Sequence, residues 1–152
     1  MDALQITPIG VVKNDASEAV DDYWGKVISE IHIDTSLATG LKGLDDWSHI
    51  VVIYYMHSAQ FDPAKHLVRR PRDQQDMPEL GIFAQRARHR PNKIGITAVK
   101  IMGIEGNVIR VKGLDAIDGT PVLDIKPYAP VYDGVTSPAV PAWFVRLMQG
   151  YF

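Results

Sequence analysis

Between Ile94 and Ile125 the chain alternates β-forming runs with turn signals, and this pattern restricts the fold more than any other feature. Ile94 to Ile104 is a long run. Gly106-Asn107 follows as a hairpin turn into Val108 to Leu114. There Ile109 and Val111 face one way, and Arg110 and Lys112 the other. Asp118-Gly119 marks the next turn, and Pro121 to Ile125 the next strand.

The rest of the chain extends the pattern. Leu4 to Lys13 is expected as a first strand, at an edge or bulge because Pro8 lacks an N–H. Asn14 to Gly25 reads as a polar loop. Val27 to Asp34 alternates, with Val27, Ile31 and Ile33 opposite Glu30, His32 and Asp34. Asp34 or Thr35 is placed to cap a short helix toward Leu41. Ser48 to His57 is apolar on both faces, as in a strand buried on both sides. Gly81 to Arg86 is expected as a short strand. The stretch from Ser58 to Leu80, with Pro63, Pro71 and Pro78, reads as a long excursion. Pro141 is placed to start a helix through Gln149, with Trp143, Phe144 and Leu147 as its apolar stripe. Many strands and few helical residues predict a mostly β, closed or nearly closed β-barrel with short peripheral helices. Closure removes exposed strand edges. A single domain over residues 1–152 is expected.

Composition narrows the chemistry. The chain has no cysteine, so disulfides, thiolate metal sites and cysteine nucleophiles are excluded. A cytoplasmic location fits that. The N-terminal residues lack the pattern of a signal peptide. The longest apolar run, Ile50 to Met56, is too short to span a bilayer. Net charge is -2, yet eight of the sixteen Lys and Arg residues fall between Lys65 and Lys93. Such a cluster either meets phosphates or forms a solvated face. The five histidines show no metal-ligand spacing, so no metal is expected. There is no glycine-rich phosphate loop, no Gly-x-Gly-x-x-Gly and no Gly-x-Ser-x-Gly, so serine-hydrolase chemistry is not expected.

Polar residues crowd the strand ends between Arg86 and Tyr128. Three stretches there are specific: Gly81-Ile-Phe-Ala-Gln-Arg86, Arg90-Pro-Asn92-Lys-Ile-Gly95, and Leu114-Asp-Ala-Ile-Asp118-Gly-Thr-Pro-Val-Leu-Asp124-Ile-Lys-Pro-Tyr128. They resemble the TsaA/YaeB family, the TrmO-type tRNA methyltransferases. Ile9 to Val12 and Leu41 to Ile50 are similar to it as well, so the resemblance runs from about Ile6 to Tyr132. It implies a non-Rossmann, β-barrel methyltransferase that uses S-adenosylmethionine, works as a homodimer and methylates N6 of threonylcarbamoyl-adenosine at position 37 of tRNA.

The resemblance also implies roles for particular residues. Cofactor contacts fall on His57, Ser58, Arg86, Ala98, Leu114, Asp115, Ala116 and Ile117. Many members carry Pro-Arg-Gln after the first strand. This chain has Asp21-Asp22-Tyr23-Trp24-Gly25-Lys26, and Trp24, Gly25 and Lys26 are placed near the cofactor. Arg90 and Asn92 are expected to hold the substrate. Asp118, Lys126 and Tyr128 are the expected catalytic set, with Asp118 assisting loss of the N6 proton. Lys126 or Arg90 would pair with the threonyl carboxylate.

Plainer roles stand beside these. Asp118 and Asp115 also suit a turn, and Arg86 and Arg90 suit rim ion pairs. Asn92 suits a loop cap. His57 suits a satisfied core histidine. A cofactor- or RNA-binding barrel without catalysis, or a methyltransferase of this fold with another acceptor, remains open.

Overall fold

Alternation along the sequence becomes alternation across a barrel wall. The computed structural model describes all 152 residues. Its strands are β1 (Gly10–Lys13), β2 (Ile28–Ile33), β3 (His49–Tyr55), β4 (Val68–Arg69), β5 (Leu80–Gly81), β6 (Ile94–Glu105), β7 (Val108–Lys112) and β8 (Pro121–Pro127). Six of them close a barrel in the order β1-β2-β7-β6-β3-β8, with β8 paired back to β1. Every pairing is antiparallel.

Registers follow the period of two. Ile31 pairs with Ile109 and Val12 with Ile31, all inside the barrel and fully buried. On β3, Ile50, Val52 and Tyr54 point inward opposite Val99, Thr97 and Gly95 of β6. Val51 sits on the other face yet is also buried, so β3 is covered on both sides there, as its sequence predicts. Gly106, at φ +58°, makes the tight β6–β7 turn that the Gly-Asn pair predicts. Asp34 accepts from the Ser36 N–H at 2.8 Å and caps a 3-10 turn over Thr35–Leu41. The Ser36 hydroxyl and N–H hold the Asp34 carboxyl below its ordinary value.

Three elements differ from expectation. Gly81 to Arg86 is not a strand: Ile82–Ala84 forms a 3-10 turn that buries Ile82. The first strand begins at Gly10, not Leu4, and the residues before Ile9 are exposed. Pro8 offers no N–H to a neighbouring strand, whereas the Ile9 N–H already bonds Val122 O at 2.8 Å. The stretch 58–80 carries structure of its own. Asp62 caps α1 (Pro63–His66), and β4 pairs with β5. Beyond the barrel lie α2 (Pro130–Asp133) and α3 (Ala142–Leu147), and α3 starts after Pro141 as predicted.

Candidate functional site

One turn of chain puts a carboxylate at the barrel mouth. Gly113, at φ +92°, bends the chain out of β7, and the next residues cross the end of the barrel. Leu114 drops into the core and is fully buried. Asp115 then turns toward the ends of β3 and β6. Asn14 fixes this loop from the end of β1: its side-chain amide donates to Ala116 O at 2.8 Å and to the buried Ser29 hydroxyl at 2.9 Å.

Asp115 is gripped by three hydroxyls. Oδ1 accepts from Tyr54 O–H at 2.9 Å and from Thr97 O–H. Oδ2 accepts from Tyr151 O–H at 2.5 Å. Tyr54 reaches it because its ring lies over Gly95, where a Cβ would fall 2.4 Å from the ring. Burial, followed by the neighbouring Asp115 charge, pushes both tyrosine hydroxyls well above their ordinary value. Both therefore remain neutral donors, and the carboxylate is a fixed acceptor.

Around Asp115 opens a cleft of about 1540 Å³. Its wall brings together Trp24, His57, Ser58, Arg86, Arg90, Asn92, Ala98, Asp115, Ala116, Ile117 and Tyr128. These come from segments scattered between Trp24 and Tyr128. His57 and Ser58 lie exposed in the turn after β3, so His57 is no core histidine. The Arg86 guanidinium donates to Ile96 O at 2.9 Å, and Arg90 to Gln85 O at 3.1 Å. Neither forms a carboxylate ion pair, so the rim-pair role fails for both. Trp24 is buried and donates from its ring N–H to Val20 O at 3.0 Å.

Other expected residues fall elsewhere. Leu114 belongs to the core, and its side chain does not line the cleft. Lys26 and Gly25 stand outside the lining; Gly25 leaves space for the backbone of Phe152. Asp118 is exposed and outside the wall, and its Oδ1 accepts from the Asn14 N–H at 3.1 Å. It braces the turn. Lys126 is exposed and pairs with Asp124 at 3.0 Å, outside the cleft.

Sequence reading misses Tyr54, Thr97, Asn14 and Tyr151. Tyr54 has one faint signal, a bulky residue on a strand whose neighbour supplies a glycine. Tyr151 has none. The basic cluster divides in the structure. Arg69 pairs with Asp73 at 2.7 Å, and Arg72 lies 3.5 Å from Asp22 while donating to Asp21 O at 2.7 Å. Arg86, Arg88 and Arg90 bond only main-chain carbonyls or a histidine ring, and their charge faces the cleft unneutralised. No group of three His, Asp or Glu is placed to hold a metal ion. No helix is long and apolar enough to cross a membrane.

Comparison with known proteins adds the following. Residues 21–134 match the model of the tRNA-methyltransferase O N-terminal domain. A probable S-adenosyl-L-methionine-binding protein of Archaeoglobus fulgidus is 38% identical over 93% of this chain and 38% of its own length. A second protein of that organism, an S-adenosyl-L-methionine-binding protein, is 39% identical over 86% of this chain and 93% of its own. The crystal structure of TrmO from P. aeruginosa superposes with a TM-score of 0.76 at 27% identity, covering 94% of this chain and 62% of the other. The chain thus spans well under half of the first relative and under two thirds of the TrmO chain.

Proposed function

The chain belongs to the tRNA-methyltransferase O N-terminal domain family, and from that premise we propose that it transfers the methyl group of S-adenosylmethionine to tRNA. The observation that carries the reading is one of position. The matched span, 21–134, contains every cleft residue that the sequence motifs single out, from Trp24 to Tyr128. In finer detail, the acceptor is N6 of threonylcarbamoyl-adenosine at position 37, and the protein works as a homodimer in the cytoplasm.

The donor set fits the cofactor. Arg86 presents a guanidinium without a carboxylate partner, suited to the cofactor's carboxylate. Asp115 is an acceptor for hydroxyl or ammonium donors. Main-chain groups at Asp115, Ala116 and Ile117 suit an adenine edge, and His57, Ser58, Ala98 and Trp24 form the wall. When bound, S-adenosylmethionine supplies an electrophilic methyl group and its own leaving group. The residues then have to align the reactants and exclude water. Arg90 and Asn92 hold the acceptor's carboxylate-bearing arm, and Tyr128, edge-on to His49 at 6.5 Å, borders its entry. The place of Asp118 outside the cleft wall, with Oδ1 on the Asn14 N–H, supports a role in keeping the loop in shape over one as proton acceptor.

One observation favours a second reading, a binding barrel without catalysis. A relative that matches over most of both chains is named for binding S-adenosylmethionine alone. Single-turnover transfer of labelled methyl to bulk tRNA separates the two, with tRNA lacking threonylcarbamoyl as control. Label on the first tRNA only is the expected result. Label on both would mean another acceptor. Label on neither, with the cofactor bound, would mean the binding barrel.

A further inference from the structure

Tyr151 and Phe152 line the cleft, yet they lie outside the span that the family model matches. Residues 150–152 form a strap along the Tyr23–Gly25 segment. Tyr23 N–H donates to Gly150 O at 2.9 Å, and Trp24 N–H to Tyr151 O at 2.8 Å. Gly25 permits this approach, because a Cβ there would fall 2.4 Å from the Phe152 carbonyl carbon. Upstream, α3 buries none of its residues. Trp143, Phe144 and Leu147 are half-buried, and Arg146 reaches Met77 Sδ at 3.7 Å and pairs with the exposed Asp76 at 3.3 Å; exposed pairs of this kind contribute little.

The two oxygens of Asp115 are therefore unequal. Oδ1 bonds Tyr54 and Thr97, side chains buried in the barrel wall. Oδ2 bonds Tyr151 alone, on a segment in which none of residues 150–152 is buried. Segments with few buried contacts open at low free-energy cost. We propose that Tyr151 is an internal competitor for Asp115, so that a ligand with a hydroxyl or ammonium donor takes Oδ2 as the 150–152 strap leaves the cleft. The occluded fraction then lowers apparent affinity, as any closed state does. The ligand class rests on the cofactor reading above; the strap itself rests on the contacts just described.

The test combines amide exchange by NMR with calorimetry, using S-adenosylmethionine as the probe. Without ligand, the Tyr23 and Trp24 amides exchange faster than those of β3, and Tyr151→Phe speeds them further. With ligand they exchange faster still. Tyr151→Phe tightens the probe by about tenfold, the weight of one hydrogen bond to a charged group. Arg146→Ala touches neither Asp115 nor the cleft wall, and it shifts both readouts the same way by less. Weaker binding by both variants, or slower exchange at Tyr23 and Trp24 on adding the probe, overturns the proposal: the strap is then a fixed wall. If no form binds the probe, the cofactor reading fails. The strap inference then falls too if those amides are as slow as β3's, and stands if Tyr151→Phe speeds them.

Discussion

Asp115 and Asp118 sit three residues apart in one loop and do different work. Asp115 accepts three hydroxyls inside the cleft, and Asp118 accepts one backbone N–H outside it. Their substitutions should separate accordingly. Asp118→Asn keeps an acceptor oxygen, so stability and methyl transfer stay near wild type; Asp118→Ala loses the brace and costs about 1 kcal/mol in urea unfolding. Asp115→Ala strands two buried hydroxyls and costs about 1–3 kcal/mol, with loss of cofactor binding. Equal activity losses for Asp118→Asn and Asp115→Asn would contradict this division. The motif marks both aspartates, and nothing in the sequence says which one faces the cleft. Only the bend at Gly113 and the Asn14 clamp decide that.

At the scale of elements, the barrel strands are readable because each has one buried face. The turn over Ile82–Ala84 is not, since a short apolar run without a period suits a strand or a buried turn equally. The pairing of Gly95 with Tyr54 shows how a strand builds a site. Gly95→Ala puts a Cβ into the Tyr54 ring, and overpacking of this kind costs about 1–3 kcal/mol. Cofactor affinity should fall with it, because Tyr54 leaves Asp115; unchanged affinity by calorimetry would show that Tyr54 does not hold the carboxylate. The excursion before β6 carries a pH response. His89 stacks on His66 at 4.8 Å, and burial lowers its pKa from the ordinary 6.5. Folding therefore favours the neutral ring. That contribution is complete above the unfolded value and is lost as pH falls through the lower folded value. Urea midpoints should drop between pH 7.5 and 5.5 in wild type, and less in His89→Gln.

For the whole molecule, an acidic chain presents a locally cationic cleft. Three arginines, Arg86, Arg88 and Arg90, face it without carboxylate partners. Arg88→Ala should lower the salt slope of tRNA binding by about 1, with little effect on the free cofactor. An unchanged slope would place the RNA elsewhere. Closure of the barrel was legible from strand number and turn chemistry. The cleft was legible only in part, because main-chain carbonyls hold most of its cations and sequence does not reveal those bonds. The central claim is that this cleft binds S-adenosylmethionine through Arg86 and Asp115. Calorimetric titration of wild type, Arg86→Ala and Asp115→Asn tests it directly. Micromolar binding by wild type and a loss of about tenfold or more in each variant are expected. Wild-type affinity in both variants would contradict it.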